Sequence, residues 1–172
     1  MRLIRSINKI TGFTSTFAGQ IAKWLSLVLV IIIVYDVLMR YFFDSPTNWS
    51  YILSYMLGSC IIALGLPYVY YHRANIRVDV FYTRFSQKIK AILDLLFTII
   101  FGIPLVFVLT YVFVPDAFKA FQIGEIAVES IWYPKLWPFK TVIALAFCLL
   151  LVQVLSTFLI DLLSFIKGDK KA

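Results

Sequence analysis

The stretch TVIALAFCLLLVQVLSTFLIDLLSFI, residues 141–166, decides the class of fold. Its first 20 residues carry no charge, and Asp161 is the only charged residue in the stretch. A helix that crosses a lipid bilayer needs about 20 consecutive, predominantly apolar residues. We therefore predict a membrane-spanning helix here.

Three other apolar stretches are also long enough to cross a bilayer. The predicted spans are about 21–43, 49–71, 87–113 and 138–166. Pro104 lies in the middle of the third span, and we expect it to kink that helix. The chain is thus predicted to be an all-α integral membrane protein, in which residues 1–172 form a single four-span domain.

The composition supports a membrane protein. The chain is 62% hydrophobic with a mean hydropathy of +0.90, whereas soluble domains are about 45–50% apolar. The net charge of +7 could suggest a nucleic-acid partner. However, the basic residues lie between the apolar runs and form no continuous basic face, so we predict no nucleic-acid binding.

The first residues, MRLIRSINKITGF, predict a short amphipathic helix at the membrane surface. Basic residues alternate there with apolar residues at helical spacing, namely Leu3, Ile4, Ile7 and Ile10. The segment has no apolar core followed by a cleavage site, so we do not expect it to be a signal peptide.

The distribution of Lys and Arg predicts that both termini are cytoplasmic, because cytoplasmic loops are enriched in these residues. With that orientation eleven basic residues lie inside and four outside, the four being Arg40, Lys119, Lys135 and Lys140. The stretch HRANIRVDVFYTRF, residues 72–85, is then a cytoplasmic loop between the second and third spans. We expect it to contact lipid or a partner subunit through His72, Arg73, Arg77, Asp79 and Arg84.

No residue pattern in the chain indicates catalysis. His72 is the only histidine and has no matched base or nucleophile nearby in sequence. Cys60 and Cys148 lie in apolar runs without the spacing of a metal or redox site. We predict no enzymatic activity, no cofactor and no metal.

Two features inside the spans predict helix contacts. Asp36 and Arg40 are four residues apart and can pair on one helix face. Ser50, Ser54 and Gly58 recur at intervals of four, and small residues in register allow another helix to approach closely. We assign these five residues to a subunit or lipid interface.

The longest outer loop, within residues 114–138, combines charged and aromatic residues, as protein-binding surfaces do. Its Lys119, Glu125 and Glu129, together with Asp44 and Trp49 of the first outer turn, form a predicted docking surface for a protein partner.

The middle of each span is apolar and offers no paired broken helices of the kind that carry substrates in transporters. An accessory subunit of a larger complex therefore fits better than a carrier. Two alternatives stay open. One is a freestanding oligomeric transporter with Asp36 as its coupling carboxylate. The other is a membrane anchor of a redox complex, although haem in such anchors needs ligands within the spans.

Three motifs in order carry a resemblance that covers nearly the whole chain. They are RYFFDSPTNW from residue 40, HRANIRVDVFYTRFS from residue 72 and QIGEIAVESIWYPKLWPFKTVIALAFCLLLVQ from residue 122. Together they resemble the small membrane subunit of tripartite ATP-independent periplasmic (TRAP) transporters, the DctQ-like family. The matching residues are Arg40, Tyr41, Trp49, His72, Arg77, Val78, Asp79, Glu125, Glu129 and Ser130.

The resemblance implies a bacterial inner-membrane location, a large membrane transport subunit as partner and a periplasmic solute-binding protein that docks outside. It also implies uptake of an organic acid driven by a sodium gradient, with membrane lipids around the small subunit. One position departs from the family. Many relatives have a glutamate shortly after the tryptophan, where this chain has Tyr51 and Ile52. A docking role of that glutamate does not transfer.

Overall fold

A computed structural model describes residues 2–45, 47–74, 86–128 and 132–166. The described part is helical, and its only β feature is an isolated bridge between Ile126 and Lys135. The helices are α1 (Arg2–Phe42), α2 (Ser50–Tyr71), α3 (Gln87–Phe97), a π-helical turn (Thr98–Gly102), α4 (Ile103–Ile123) and α5 (Trp137–Ile166).

Four of these helical stretches are long and apolar enough to cross a membrane, which confirms the predicted number of spans. They are Asn8–Phe42, Ser50–Tyr71, Lys88–Ile123 and Trp137–Ile166. The third extends to Ile123, beyond the predicted end at 113. The short amphipathic helix predicted at the N-terminus is not a separate element. It continues into the first span as α1, because no glycine pair or proline interrupts the chain between them.

The inner face of α1 repeats every seven residues. Its buried or half-buried positions alternate in steps of four and three, at Thr11, Ser15, Ala18, Ala22, Leu25, Leu29, Ile32, Asp36 and Met39. This spacing is typical of helices that cross at about +20° with interdigitating side chains. The residues are small or polar in the first half and larger in the second, so neighbouring helices approach α1 most closely near its start.

Two glycines of α1 show this close approach. Gly12 lies against the ring of Tyr71, and Gly19 lies against the ring and Cβ of Tyr68, both on α2. A methyl group built on Gly19 would come within 2.8 Å of Tyr68 Cβ, so the glycine is required for the helix spacing. By contrast, a methyl group built on Gly58 meets nothing within 4 Å.

Helix α5 is the centre of the fold. In the most apolar 18-residue stretch of α5, 44% of the residues are buried. In the corresponding stretch of the rod formed by α3 and α4, only 6% are buried. Helix α5 contacts α1, α2 and α4. One apolar cluster joins Ala63 of α2 to Ile143 and Ala146 of α5, and a second joins Val106 of α4 to Leu150 and Val154.

Helix α4 packs on α5 through another seven-residue repeat. Its inward positions are Ile103, Val106, Thr110, Phe113, Ala117 and Ala120. Its main contacts in the described residues are with α5 rather than with α1 or α2. The rod of α3 and α4 is therefore attached along one side, and its opposite side is open.

Pro104 is accommodated by a π-helical turn rather than by a break in the rod. Proline has no N–H to donate, and its ring clashes with a carbonyl one turn earlier. The helix widens over Thr98–Gly102, and the Ile103 N–H donates to the Thr98 carbonyl, five residues back. Such a turn is a local change in hydrogen bonding within a continuing helix, and the predicted kink stays a prediction.

The two ends of the molecule differ in what they contain. We call the end with the connections 43–49 and 124–136 the two-loop end, and the opposite end, where α1 starts and α5 stops, the terminal end. Helices α2 and α5 run in the same direction, since the Tyr55 and Phe139 rings meet near their starts and Arg73 pairs with Asp161 near their ends.

Replacing Gly19 by alanine is expected to lower the free energy of unfolding by about 1–3 kcal/mol, because the α2 backbone fixes the position of Tyr68 Cβ, which cannot rotate away. Gly12→Ala should cost less, since it meets only the movable tip of Tyr71. The matched control, Gly58→Ala, should stay within about 0.5 kcal/mol of the parent protein. Thermal unfolding in detergent measures all three, and equal melting temperatures would contradict this account of the packing.

Candidate functional site

The turn between α1 and α2 is organised around the carboxylate of Asp36. Its Oδ2 accepts a hydrogen bond from Arg40 Nη2 at 2.7 Å, as the spacing of four residues predicts. Its Oδ1 accepts from the Thr47 N–H at 3.3 Å and from the Thr47 hydroxyl. The carboxylate therefore closes the turn by joining the end of α1 to the residues just before α2.

Trp49 and Ser50 continue the same junction. The Trp49 ring stacks on the Tyr35 ring with centroids 5.9 Å apart, and the buried Ser50 hydroxyl donates to the Thr47 carbonyl at 3.3 Å. Trp49 is half-buried, and its ring packs against α1 at the junction of α1 and α2. Much of the ring is therefore not exposed to an external partner. Ser54 is also half-buried.

The second loop of the two-loop end is fixed by one lysine. Lys140 Nζ lies 3.0 Å from Asp116 Oδ2 and 2.7 Å from Glu125 Oε2, and its side chain is only 19% exposed. Backbone bonds add to this, because the Leu136 N–H donates to the Glu125 carbonyl at 2.9 Å. Glu125, predicted to face a docking partner, is thus engaged in holding its own loop.

The remaining predicted docking residues differ in accessibility. Lys119 on α4 and Asp44 after α1 are exposed. Asp44 has a left-handed backbone with φ of 46°. Glu129 lies outside the described residues. The structure therefore leaves Asp44 and Lys119 as the accessible charges among these predicted positions.

At the terminal end, His72 lies between two tyrosine rings. Its ring centroid is 4.4 Å from that of Tyr68 and 5.1 Å from that of Tyr71, and its Nε2 is 3.5 Å from the Thr16 hydroxyl of α1. Arg73 pairs with Asp161 of α5. These contacts join α2 to both neighbours. Arg77, Asp79 and Arg84 lie outside the described residues.

A buried polar cluster between α1 and α5 was missed by the sequence reasoning. Gln153 is fully buried, and its Nε2 donates to Asn8 Oδ1 at 3.0 Å and to the Thr157 hydroxyl at 3.1 Å. Ser156 Oγ lies 3.5 Å from the same Asn8 oxygen. The sequence feature that could have indicated this cluster is Gln153, a single amide in an apolar run. Such an amide needs a hydrogen-bond partner within a membrane.

The described residues contain no group of three His, Cys, Asp or Glu side chains that could hold a metal ion, and both cysteines are free. Most of the polar side chains described above join helices or close turns, and large apolar side chains cover the outer surface. The arrangement defines a multi-pass helical membrane protein.

The family follows from comparison with known proteins. The chain belongs to the DctQ family, because the model for the DctQ component of tripartite ATP-independent periplasmic transporters matches residues 29–164. This component is the small permease subunit of a transporter, and the family is not known as an enzyme family. No curated protein matches the chain.

Truncating Asp36 to alanine is expected to cost about 1–3 kcal/mol of stability, because it leaves the polar groups of Thr47 without their acceptor. Arg40→Gln should cost less than about 1 kcal/mol, since the Arg40 side chain is 58% exposed and that of Asp36 only 12%. Thermal unfolding of the two variants in the same detergent gives the comparison. A larger loss for Arg40→Gln would mean that the ion pair, not the turn, is the stabilising contact.

Proposed function

We propose that this chain is the small, non-catalytic scaffold subunit of a TRAP-type uptake system in the bacterial inner membrane. The observation that carries the proposal is the open side of the rod formed by α3 and α4. This side is apolar along its length and is covered by no other described helix. We assign it to the large transport subunit.

The open side is rich in aromatic side chains. Each is between 57% and 62% exposed, and they are Phe97, Phe101, Phe107 and Phe118. Lipid alone could cover such a surface, because acyl chains are as apolar as the side chains. Membership of a tripartite transporter family supplies the argument for a protein partner. A rod attached along one side by α5 leaves a broad surface for that partner.

The proposed orientation places the terminal end in the cytoplasm. The basic residues near that end outnumber those of the two-loop end, and cytoplasmic loops carry this excess. The connections 43–49 and 124–136 would then face the periplasm. Arg73, Arg77 and Arg84 would lie near anionic headgroups.

In this orientation the two-loop end is the proposed docking region for a periplasmic solute-binding protein. The bonds of Asp36 and Lys140 hold its two connections to the helix ends, which supports a preformed surface. Asp44 and Lys119 are its accessible charges among the described residues of the docking surface predicted from sequence. Transport itself would be performed by the large subunit, driven by a sodium gradient, with an organic acid as substrate.

The turn around Asp36 argues against the alternative of a freestanding carrier. A coupling carboxylate has to exchange its ion or proton during transport. Asp36 is buried and already binds Arg40 and Thr47, and these bonds hold the joint between α1 and α2. We therefore assign it a structural role.

The assembly proposal predicts that Phe107→Ala combined with Phe118→Ala weakens association with the large subunit at least tenfold, which corresponds to about 1.4 kcal/mol. Phe13→Ala combined with Phe17→Ala, also exposed but on α1, is the matched control. Co-purification from membranes that contain both subunits measures the difference. Equal retention of the large subunit by both double variants would refute the assignment of this surface.

The docking proposal predicts that Asp44→Lys combined with Lys119→Glu reduces uptake several-fold when the binding protein is limiting. Saturating binding protein should restore the rate, because rim charges mainly affect association. Co-purification with the large subunit should stay unchanged. Unaltered uptake at limiting binding protein would show that these charges do not contribute to docking.

A further inference from the structure

A polar cavity lies at the terminal end, where α2, α3, the π-helical turn and α5 meet. Its volume is about 250 Å³. At roughly 30 Å³ per water molecule, this is room for about eight waters. The polar residues of the lining in the described part of the chain are Tyr70, Arg73, Asp94, Thr98, Thr157 and Asp161. A space of this size and polarity suits a charged group larger than a single ion or water.

The backbone at Arg73 is arranged in a way that favours glycine. Arg73 has φ of 52°, its N–H donates to the Tyr70 carbonyl, and the Ala74 N–H donates to the Val69 carbonyl. These are the bonds of the Schellman motif that ends many helices, in which the left-handed position is usually glycine. An arginine there is strained, and strain of this kind is concentrated at functional sites. The strained backbone directs the guanidinium to the cavity and to Asp161.

The charges of the lining are mixed. Among the described residues of the lining, Arg73 contributes a guanidinium, and Asp94 and Asp161 contribute carboxylates. Asp94 already takes part in an interaction within the chain, and a carboxylate has acceptor sites for more than one donor. A guanidinium binds phosphate in a two-pronged geometry. A carboxylate accepts hydrogen bonds from an ammonium group. The lining therefore matches a group that carries both a phosphate and an ammonium better than it matches a simple anion or cation.

The surroundings of the cavity indicate an amphipathic occupant. Phe97 forms part of the lining and is 60% exposed on the apolar side of the rod, and Phe101 follows one turn later with 61% exposed. A molecule with its polar part in the cavity would thus have an apolar surface available for its remainder. The charged residues of the lining, Arg73, Asp94 and Asp161, lie near the span ends at Tyr71, Lys88 and Ile166, and the ends of spanning helices adjoin the headgroup region of a bilayer.

We propose that this cavity binds the phosphoethanolamine headgroup of a membrane phospholipid. Arg73 contacts the phosphate, and Asp94 and Asp161 accept hydrogen bonds from the primary ammonium. Choline fits less well, because its quaternary nitrogen has no N–H to donate. The bound lipid joins α3 and the π-helical turn to α2 and α5, so it reinforces the one side along which the rod is attached. The proposal concerns this chain alone and does not depend on the transport partners.

Native mass spectrometry of the full chain in detergent tests the proposal. The protein is titrated separately with phosphatidylethanolamine, phosphatidylcholine and phosphatidylglycerol that carry identical acyl chains. We expect at least tenfold stronger retention of phosphatidylethanolamine. Arg73→Gly and Asp94→Asn should each reduce that retention at least tenfold, and Lys135→Gln, at an exposed position of the opposite end, should not change it.

Arg73→Gly separates binding from folding. Glycine relieves the left-handed backbone, which offsets the loss of the half-exposed ion pair with Asp161. The melting temperature of the variant without added lipid should therefore equal or exceed that of the parent protein. Equal retention of the three lipids would overturn the proposal. A preference for phosphatidylglycerol would also overturn it, since general attraction of an anionic lipid by basic residues would then be sufficient. Retention that survives both Arg73→Gly and Asp94→Asn would place the lipid elsewhere.

Discussion

The burial of α5 is the constraint on which the remaining structure depends. In lipid, apolar surface alone does not drive helices together, so close packing and interhelical hydrogen bonds have to do so. Helix α5 supplies both, with Ala144 and Ala146 buried among larger side chains and with Gln153 bonded to α1. Because α1, α2 and α4 all pack on it, its loss would leave the contact between α1 and α2 as the main one between spans in the described residues.

The polar side chains that hold helices and loops together lie mainly where helices begin and end. Asp36 closes one turn, Lys140 holds the second loop, and Arg73 joins α2 to α5. The exception is the buried cluster of Asn8 and Gln153. Among the described residues, Gln153 Oε1 and the hydroxyl of Ser15 have no hydrogen-bond partner. Both lie on the inner faces of α1 and α5, where a polar group is costly unless it is satisfied.

The sequence predicts the helical class, the four spans and the pairing of Asp36 with Arg40, because these depend on local composition and on spacing along one helix. It does not predict contacts that depend on how helices are placed. Glu125 and Lys140 are 15 residues apart, and their pairing follows only once the intervening loop folds back. Small residues show the same limit. The regular series to Gly58 suggests close approach, whereas Gly12 and Gly19 are the positions that α2 contacts.

The hydrogen bond between Asn8 and Gln153 joins residues 145 positions apart. During synthesis the hairpin of α1 and α2 can form early, since the bonds of Asp36 to Thr47 span only 11 residues. Asn8 acquires its partner only after the last helix has entered the bilayer. A nascent or truncated chain that lacks α5 therefore leaves the Asn8 amide oxygen without the Gln153 donor. The complete subunit, in which Asn8 is bonded to Gln153, therefore differs chemically from every shorter intermediate.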